Sequence, residues 1–200
     1  MIHALTSLIK DPGSDRRPGD QIGTKGDTMM HSEEMKLGAY AGLAGGVVFG
    51  AMMAIMGTLP KIGEMVGDPS AETGFLIHLV VSVVIGVSFS TLFRRLVHDA
   101  NSALGYGLLY GGAWWFLGPL TLMPLIMGMG LGVNWNASAA AQMLPSLVGH
   151  PVYGAILGPS YRWLKSLSSA RETARAQVGT VAELCMYNFR EKRTLGREEL

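Results

Sequence analysis

Charged residues disappear from this chain over four long stretches, 37–59, 73–93, 102–130 and 137–161, whose only titratable side chains of the charge-changing kind are His78 and His150. A helix crosses the ~30 Å hydrocarbon layer in roughly twenty residues, so each stretch is long enough to span it. Apolar sequence this continuous leaves no helical face for water to solvate, which rules out a buried hairpin of a soluble protein. The pattern therefore predicts an all-α, polytopic membrane protein, a bundle of four transmembrane helices at 37–163. No acidic residue occurs between Asp99 and Glu172.

Net charge is only +1, but its distribution is uneven. Fifteen of the sixteen Lys and Arg residues fall before the first stretch, at Arg94–Arg95 or after the last stretch, and only Lys61 falls in the other connections. Positively charged connections stay on the cytoplasmic side, so both termini and the Arg94–Arg95 turn are expected there. The outer loop 60–72 carries Glu64, Asp68 and Glu72. Tyr40, Tyr106, Tyr161 and Trp163 then fall near the cytoplasmic interface, while Trp114 and Trp115 lie mid-span and read as packing residues.

The segment 1–36 mixes Gly, Pro, Asp, Arg and Ser without apolar periodicity and reads as disordered and cytoplasmic, with a second possible start at Met29–Met30. Arg16–Arg17 lacks the apolar run of a twin-arginine signal. The charged cytoplasmic tail 164–200 is expected to form a modest amphipathic helix around 174–189. Cys185, in that tail, has no disulfide partner in the chain.

Within the first stretch Gly38, Gly42, Gly46 and Gly50 recur every fourth residue and Ala54 continues the file. Lipid solvates large apolar side chains as well as a partner helix does, so helices associate where small residues permit close approach. Corresponding files are Ser82, Gly86 and Ser90 on the second stretch, Gly107 and Gly111 on the third, and Gly154 and Gly158 on the fourth. The first helix is thus expected at the packed centre of the bundle. Pro119 and Pro124 interrupt the third stretch, and Pro145, Pro151 and Pro159 the fourth, which predicts kinks there and carbonyls without helical donors.

Intramembrane ionisable groups are candidates for function. His78 lies about 7 Å inside its stretch and His150 about 20 Å from the same surface, so a haem held by both is disfavoured by a depth difference of about 12 Å. For His150 the plain reading is a neutral imidazole bonded to a carbonyl near Pro151 or to Ser146. His78 with Met52, Met56, Met123 and Met127 forms a soft set suited to Cu(I), although flexible methionines also fill gaps between glycine-rich helices. No cofactor is expected. The stretches hold no carboxylate for a proton relay or aspartyl protease, no Gly-x-Ser-Gly signature, no phosphate-binding glycine loop and no nucleic-acid-binding patch.

The runs Gly-Leu-Ala-Gly-Gly-Val-Val-Phe-Gly-Ala-Met-Met at 42–53 and Gly-His-Pro-Val-Tyr-Gly-Ala-Ile-Leu-Gly at 149–158 resemble those of small, glycine-rich, four-span inner-membrane proteins of bacteria and archaea, the YagU-like proteins. The resemblance covers about 36–163 and implies a prokaryotic plasma-membrane location and this fold, with no chemistry attached. The leading functional expectation is a structural or interaction role, with the lipid bilayer, a second copy or a larger membrane complex as partner. The alternatives are a small channel or carrier for an ion, metal or apolar solute through the third and fourth helices, and a metal- or haem-binding redox subunit.

Overall fold

A computed structural model describes residues 18–198, with side chains over 31–187. Its regular elements are helices throughout the described residues. Helix α1 (Pro18–Ile55) turns at Gly57 (φ 65°) into the short α2 (Leu59–Gly63) and a 3-10 turn, Glu64–Val66. Ser70 then caps α3 (Ala71–Phe93), its side chain accepting from the Thr73 amide. Asp99 and Ser102 form a reciprocal capping box at the start of α4 (Ala100–Leu117). A π turn at Gly118–Leu122 leads into α5 (Met123–Ile126), a glycine-rich loop, α6 (Ala137–Gln142) and the long α7 (Leu144–Glu198). Three segments, His31–Ile55, Ala71–Phe93 and Ala100–Ile126, are long and apolar enough to cross a membrane.

Several expected boundaries move. The segment read as disordered is helical from Pro18 onward, while 1–17 lies outside the described residues. Proline at the first helical position loses no hydrogen bond. Further along, Glu34 pairs with Lys165 Nζ at 2.9 Å and Arg94 Nη1 at 3.5 Å, tertiary partners that a linear reading does not supply. The third stretch ends as helix at Ile126, followed by Gly128, Gly130 and Gly132, all at positive φ. Within it Pro119 offers no amide, and the local ladder adopts the wider π pattern at 118–122. The fourth stretch is broken at Met143, between α6 and α7. Pro145 therefore opens a helix and interrupts nothing, whereas Pro151 and Pro159 lie inside α7. The tail is helical far beyond the modest segment expected, because α7 continues through it to Glu198.

Helix α1 packs against α3 on one side and α7 on the other, and α4 packs against α7. Backbones touch where glycine stands. A Cβ on Gly42 would meet the Ser82 carbonyl, and one on Gly86 would meet the Gly38 carbonyl and lie 2.7 Å from Gly42 Cα. A Cβ on Gly46 would lie 2.5 Å from Ser82 Cβ, and one on Gly50 would lie 2.6 Å from the Phe75 ring. In the other pair, Gly107 and Gly154 each abut the other's carbonyl, Gly111 abuts the His150 carbonyl, and Gly158 that of Ala103. Aromatic rings fill the wider space toward the α3–α4 turn, where Phe89 contacts Phe93, Tyr110 and Tyr161.

The outer surface is the reverse of a water-soluble fold. On α3, Leu76, Val80 and Val84 are 60–64% exposed, whereas His78, Ser82 and Ser90 are at most 8% exposed. Water would penalise that arrangement, and hydrocarbon does not.

The capping box at Asp99 carries a pH signature. Hydrogen bonds from the Ser102 amide and hydroxyl hold the Asp99 carboxyl below the usual carboxylate range. A carboxyl whose folded value is depressed contributes stability above its unfolded value and loses it as pH falls through the folded one. Acid titration of the detergent-solubilised protein should therefore lower the unfolding midpoint below about pH 4. Asp99→Asn, which keeps a capping oxygen, should flatten that part of the profile, and an unchanged profile would show that the cap does not contribute.

Candidate functional site

The interior of the α1–α3–α7 interface holds the polar groups that the sequence singles out. His78 sits seven residues into α3, where the small residues of α1 let the imidazole reach the opposing backbone: its Nε2–H donates to the Gly46 carbonyl at 3.0 Å. One turn on, Ser82 Oγ donates to the His78 carbonyl at 2.7 Å, and the Tyr153 hydroxyl from α7 donates to the Ser82 carbonyl at 2.8 Å. Three helices are thereby tied through side chains bonded to backbone oxygens. Each such bond is worth about 1 kcal/mol or somewhat less in a membrane interior.

Both histidines flank one phenylalanine. Phe49, from α1, meets the His78 ring edge-on at 5.3 Å between centroids and the His150 ring at 4.9 Å. The two imidazoles therefore lie within about 10 Å of each other. This corrects the depth difference of about 12 Å expected from the stretches. That expectation counted His150 from residue 137, but α7 begins at Leu144 and α3 at Ala71, so His150 lies six residues and His78 seven beyond the first residue of its own helix. Proximity does not make a haem site, since both imidazoles pack against the Phe49 ring. Gly149 makes room for that ring: a Cβ there would overlap Phe49.

His150 is half-buried, and its Nδ1–H donates to the Ser146 carbonyl at 2.8 Å. That carbonyl lies one residue before the one whose helical donor Pro151 removes. Its Nε2 faces the π turn, 3.8 Å from where a Gly118 Cβ would sit. Ser146 Oγ donates to the Met143 carbonyl at 2.8 Å, and Trp115 Nε1 donates to the same carbonyl at 3.1 Å, which ties α4 to the α6–α7 break. Neither Ser82 nor Ser146 directs its hydroxyl at an imidazole, so no serine–histidine dyad is assembled from these four residues.

The four methionines of the soft ligand set differ in burial. Met52 and Met123 are half-buried and Met56 and Met127 exposed, while the His78 ring is buried on Gly46. Among the described residues no group of three His, Cys, Asp or Glu side chains is arranged to hold a metal. Cys185 is exposed on α7.

Tyr153, Phe49 and Tyr110 were not singled out in the sequence. Tyr110 shares a hydrogen bond with Ser88 Oγ and donates to the Ile85 carbonyl, joining α4 to α3. The available signal was spacing: Gly149 and Tyr153 differ by one helical turn on the face that meets Gly45 and Phe49. The contrast between two tyrosines is testable. Tyr153→Phe strips the Ser82 carbonyl of its hydroxyl donor and should cost about 1 kcal/mol. The buried Tyr161 hydroxyl has no hydrogen-bond partner among the described residues, so Tyr161→Phe should cost nothing measurable in the same detergent unfolding titration. Equal losses would contradict the assigned bonding.

The class defined by this architecture is an all-helical protein with three helices fit to cross a membrane. Comparison of the chain with protein-family models, with curated proteins and with solved structures gave no match.

Proposed function

We propose that this chain is a four-span integral protein of a prokaryotic plasma membrane, with both termini cytoplasmic, whose role is to pack against a second copy or within a larger membrane complex. The apolar part of α7, 144–161, is about 27 Å long and supplies the fourth crossing. The observation that carries the reading is the interior itself. Glycine contacts close α1 on α3 and α4 on α7, and the interior hydroxyl and imidazole groups of His78, Ser82 and Tyr153 are spent on backbone carbonyls. Such an interior serves cohesion, and the large apolar side chains outside it serve lipid or partner contact. The YagU-like resemblance is in keeping with this proposal.

A second reading, transport, has one observation in its favour. His150 Nε2 faces a π turn that contains Pro119 and precedes Pro124, and such turns mark functional places in other helices. The readings separate on one preparation. Native mass spectrometry from mild detergent should show a defined homo-oligomer or a stoichiometric partner, while liposomes containing the protein should show no ion flux above empty liposomes. A monomer with His150-dependent flux would replace the first reading with the second. Reporter fusions that put the two termini in opposite compartments would remove the four-span topology.

A further inference from the structure

A pocket of about 450 Å³ opens where α3 gives way to α4, walled by Arg94, Arg95, His98, Arg162, Lys165 and Ser166. Four permanent cations surround it. Lys165 and Arg94 are held by Glu34, and Lys165 Nζ also donates to the Arg94 carbonyl at 3.0 Å. Among the described residues Arg162 donates only its Nε–H, to the His98 carbonyl at 3.0 Å, which leaves the rest of its guanidinium fork for another acceptor. Arg95 is exposed and forms no ion pair among the described residues. Among the described residues one carboxylate, Glu34, pairs with these cations, and the two that it does not reach, Arg95 and Arg162, belong to different elements, the α3–α4 turn and α7.

The position of this pocket matters as much as its charge. It lies level with Phe93, the last residue of α3, and with the start of α4, where the apolar surface ends. Exposed Leu92, Leu96 and Trp163 border it in sequence. An apolar rim beside a cationic recess matches an amphiphile whose phosphate enters the recess while its chains stay along the helices.

We propose that this pocket binds a phosphate group, carried by an anionic phospholipid at the membrane surface. Arg162 and Arg95 grip the phosphate oxygens, and Lys165 and Arg94, fixed by Glu34, supply the field behind them. Lipid as the source rests on the membrane reading given above, whereas phosphate chemistry does not.

The test uses the full chain in nanodiscs of phosphatidylcholine, alone or mixed with phosphatidylglycerol, followed by delipidation and native mass spectrometry. The comparison is with Arg95→Gln/Arg162→Gln, which removes two exposed or half-exposed cations and leaves the Glu34 pairs intact. Wild-type protein should retain phosphatidylglycerol over phosphatidylcholine, and retention should fall about fivefold for each cation removed. Thermal unfolding in inorganic phosphate, compared with chloride at equal ionic strength, forms the second arm and needs no variant. A phosphate-specific rise in midpoint without lipid retention upholds the phosphate site and assigns it a soluble ligand. Equal retention of both lipids together with no phosphate-specific rise overturns it, as does undiminished phosphatidylglycerol retention by the folded double variant. An oligomer that forms normally while these arms fail would sink the pocket and spare the packing role.

Discussion

Gly107→Ala is expected to destabilise the protein by about 3 kcal/mol, the upper end for an overpacked contact, because the added methyl meets the Gly154 carbonyl, which cannot rotate away. Gly111→Ala should behave alike against the His150 carbonyl. Two other glycines of α4 act as internal controls. A Cβ on Gly105 or Gly112 meets nothing within 4 Å, so alanine there should be neutral or gain about 0.5–1 kcal/mol from helix propensity. Four substitutions on one helix, identical in chemistry, should thus split into two classes according to which face they occupy. Denaturation in mild detergent, followed by tryptophan fluorescence, measures the split. Comparable losses at all four positions would mean that α4 and α7 do not meet in this register. Gly86→Leu makes the same test of α1 on α3, where the expected outcome is separation of the pair.

Phe49→Ala should cost about 3–5 kcal/mol, as for other buried phenylalanines. The ring is shared: it contacts both imidazoles and fits over Gly149, so its loss loosens α1 from α3 and from α7 at once. Phe49→Leu, which refills part of the volume, should recover much of the loss. Replacing the partner instead is informative. Gly149→Ala forces a methyl into the intact ring, and the double variant Phe49→Ala/Gly149→Ala should be more stable than the sum of the two single losses predicts. Additive losses would show that the two residues do not touch.

The three long apolar helices were legible because a continuous run of uncharged residues is a property of whole stretches of sequence. The small-residue files were equally plain, since their four-residue spacing is local to each helix; which file meets which is a tertiary fact, now seen as 38–46 against 82–90 and 107–111 against 154–158. Levels of side chains were harder to read. His150 was placed too deep because nothing in the uncharged run 137–161 announces a break at Met143, and a helix end displaced by seven residues shifts depth by about 10 Å. Helical extension at 18–36 was hidden for a different reason: Glu34 has no partner nearby in sequence and finds Arg94 and Lys165 only after folding. Tyr153 and Phe49 carried no polar or periodic mark, and their importance arises from the space that distant glycines leave.

Helix α7 continues as helix from the Met143 break to Glu198, roughly 80 Å of backbone. Its inner third is seated on Gly107 and Gly111, while its exposed remainder, from Ser166 to Tyr187, projects beyond the bundle. No loop separates those parts, so a pull or twist on the projecting shaft reaches the glycine seam through continuous helix, and whatever grasps the shaft also holds a lever on the contact between α4 and α7.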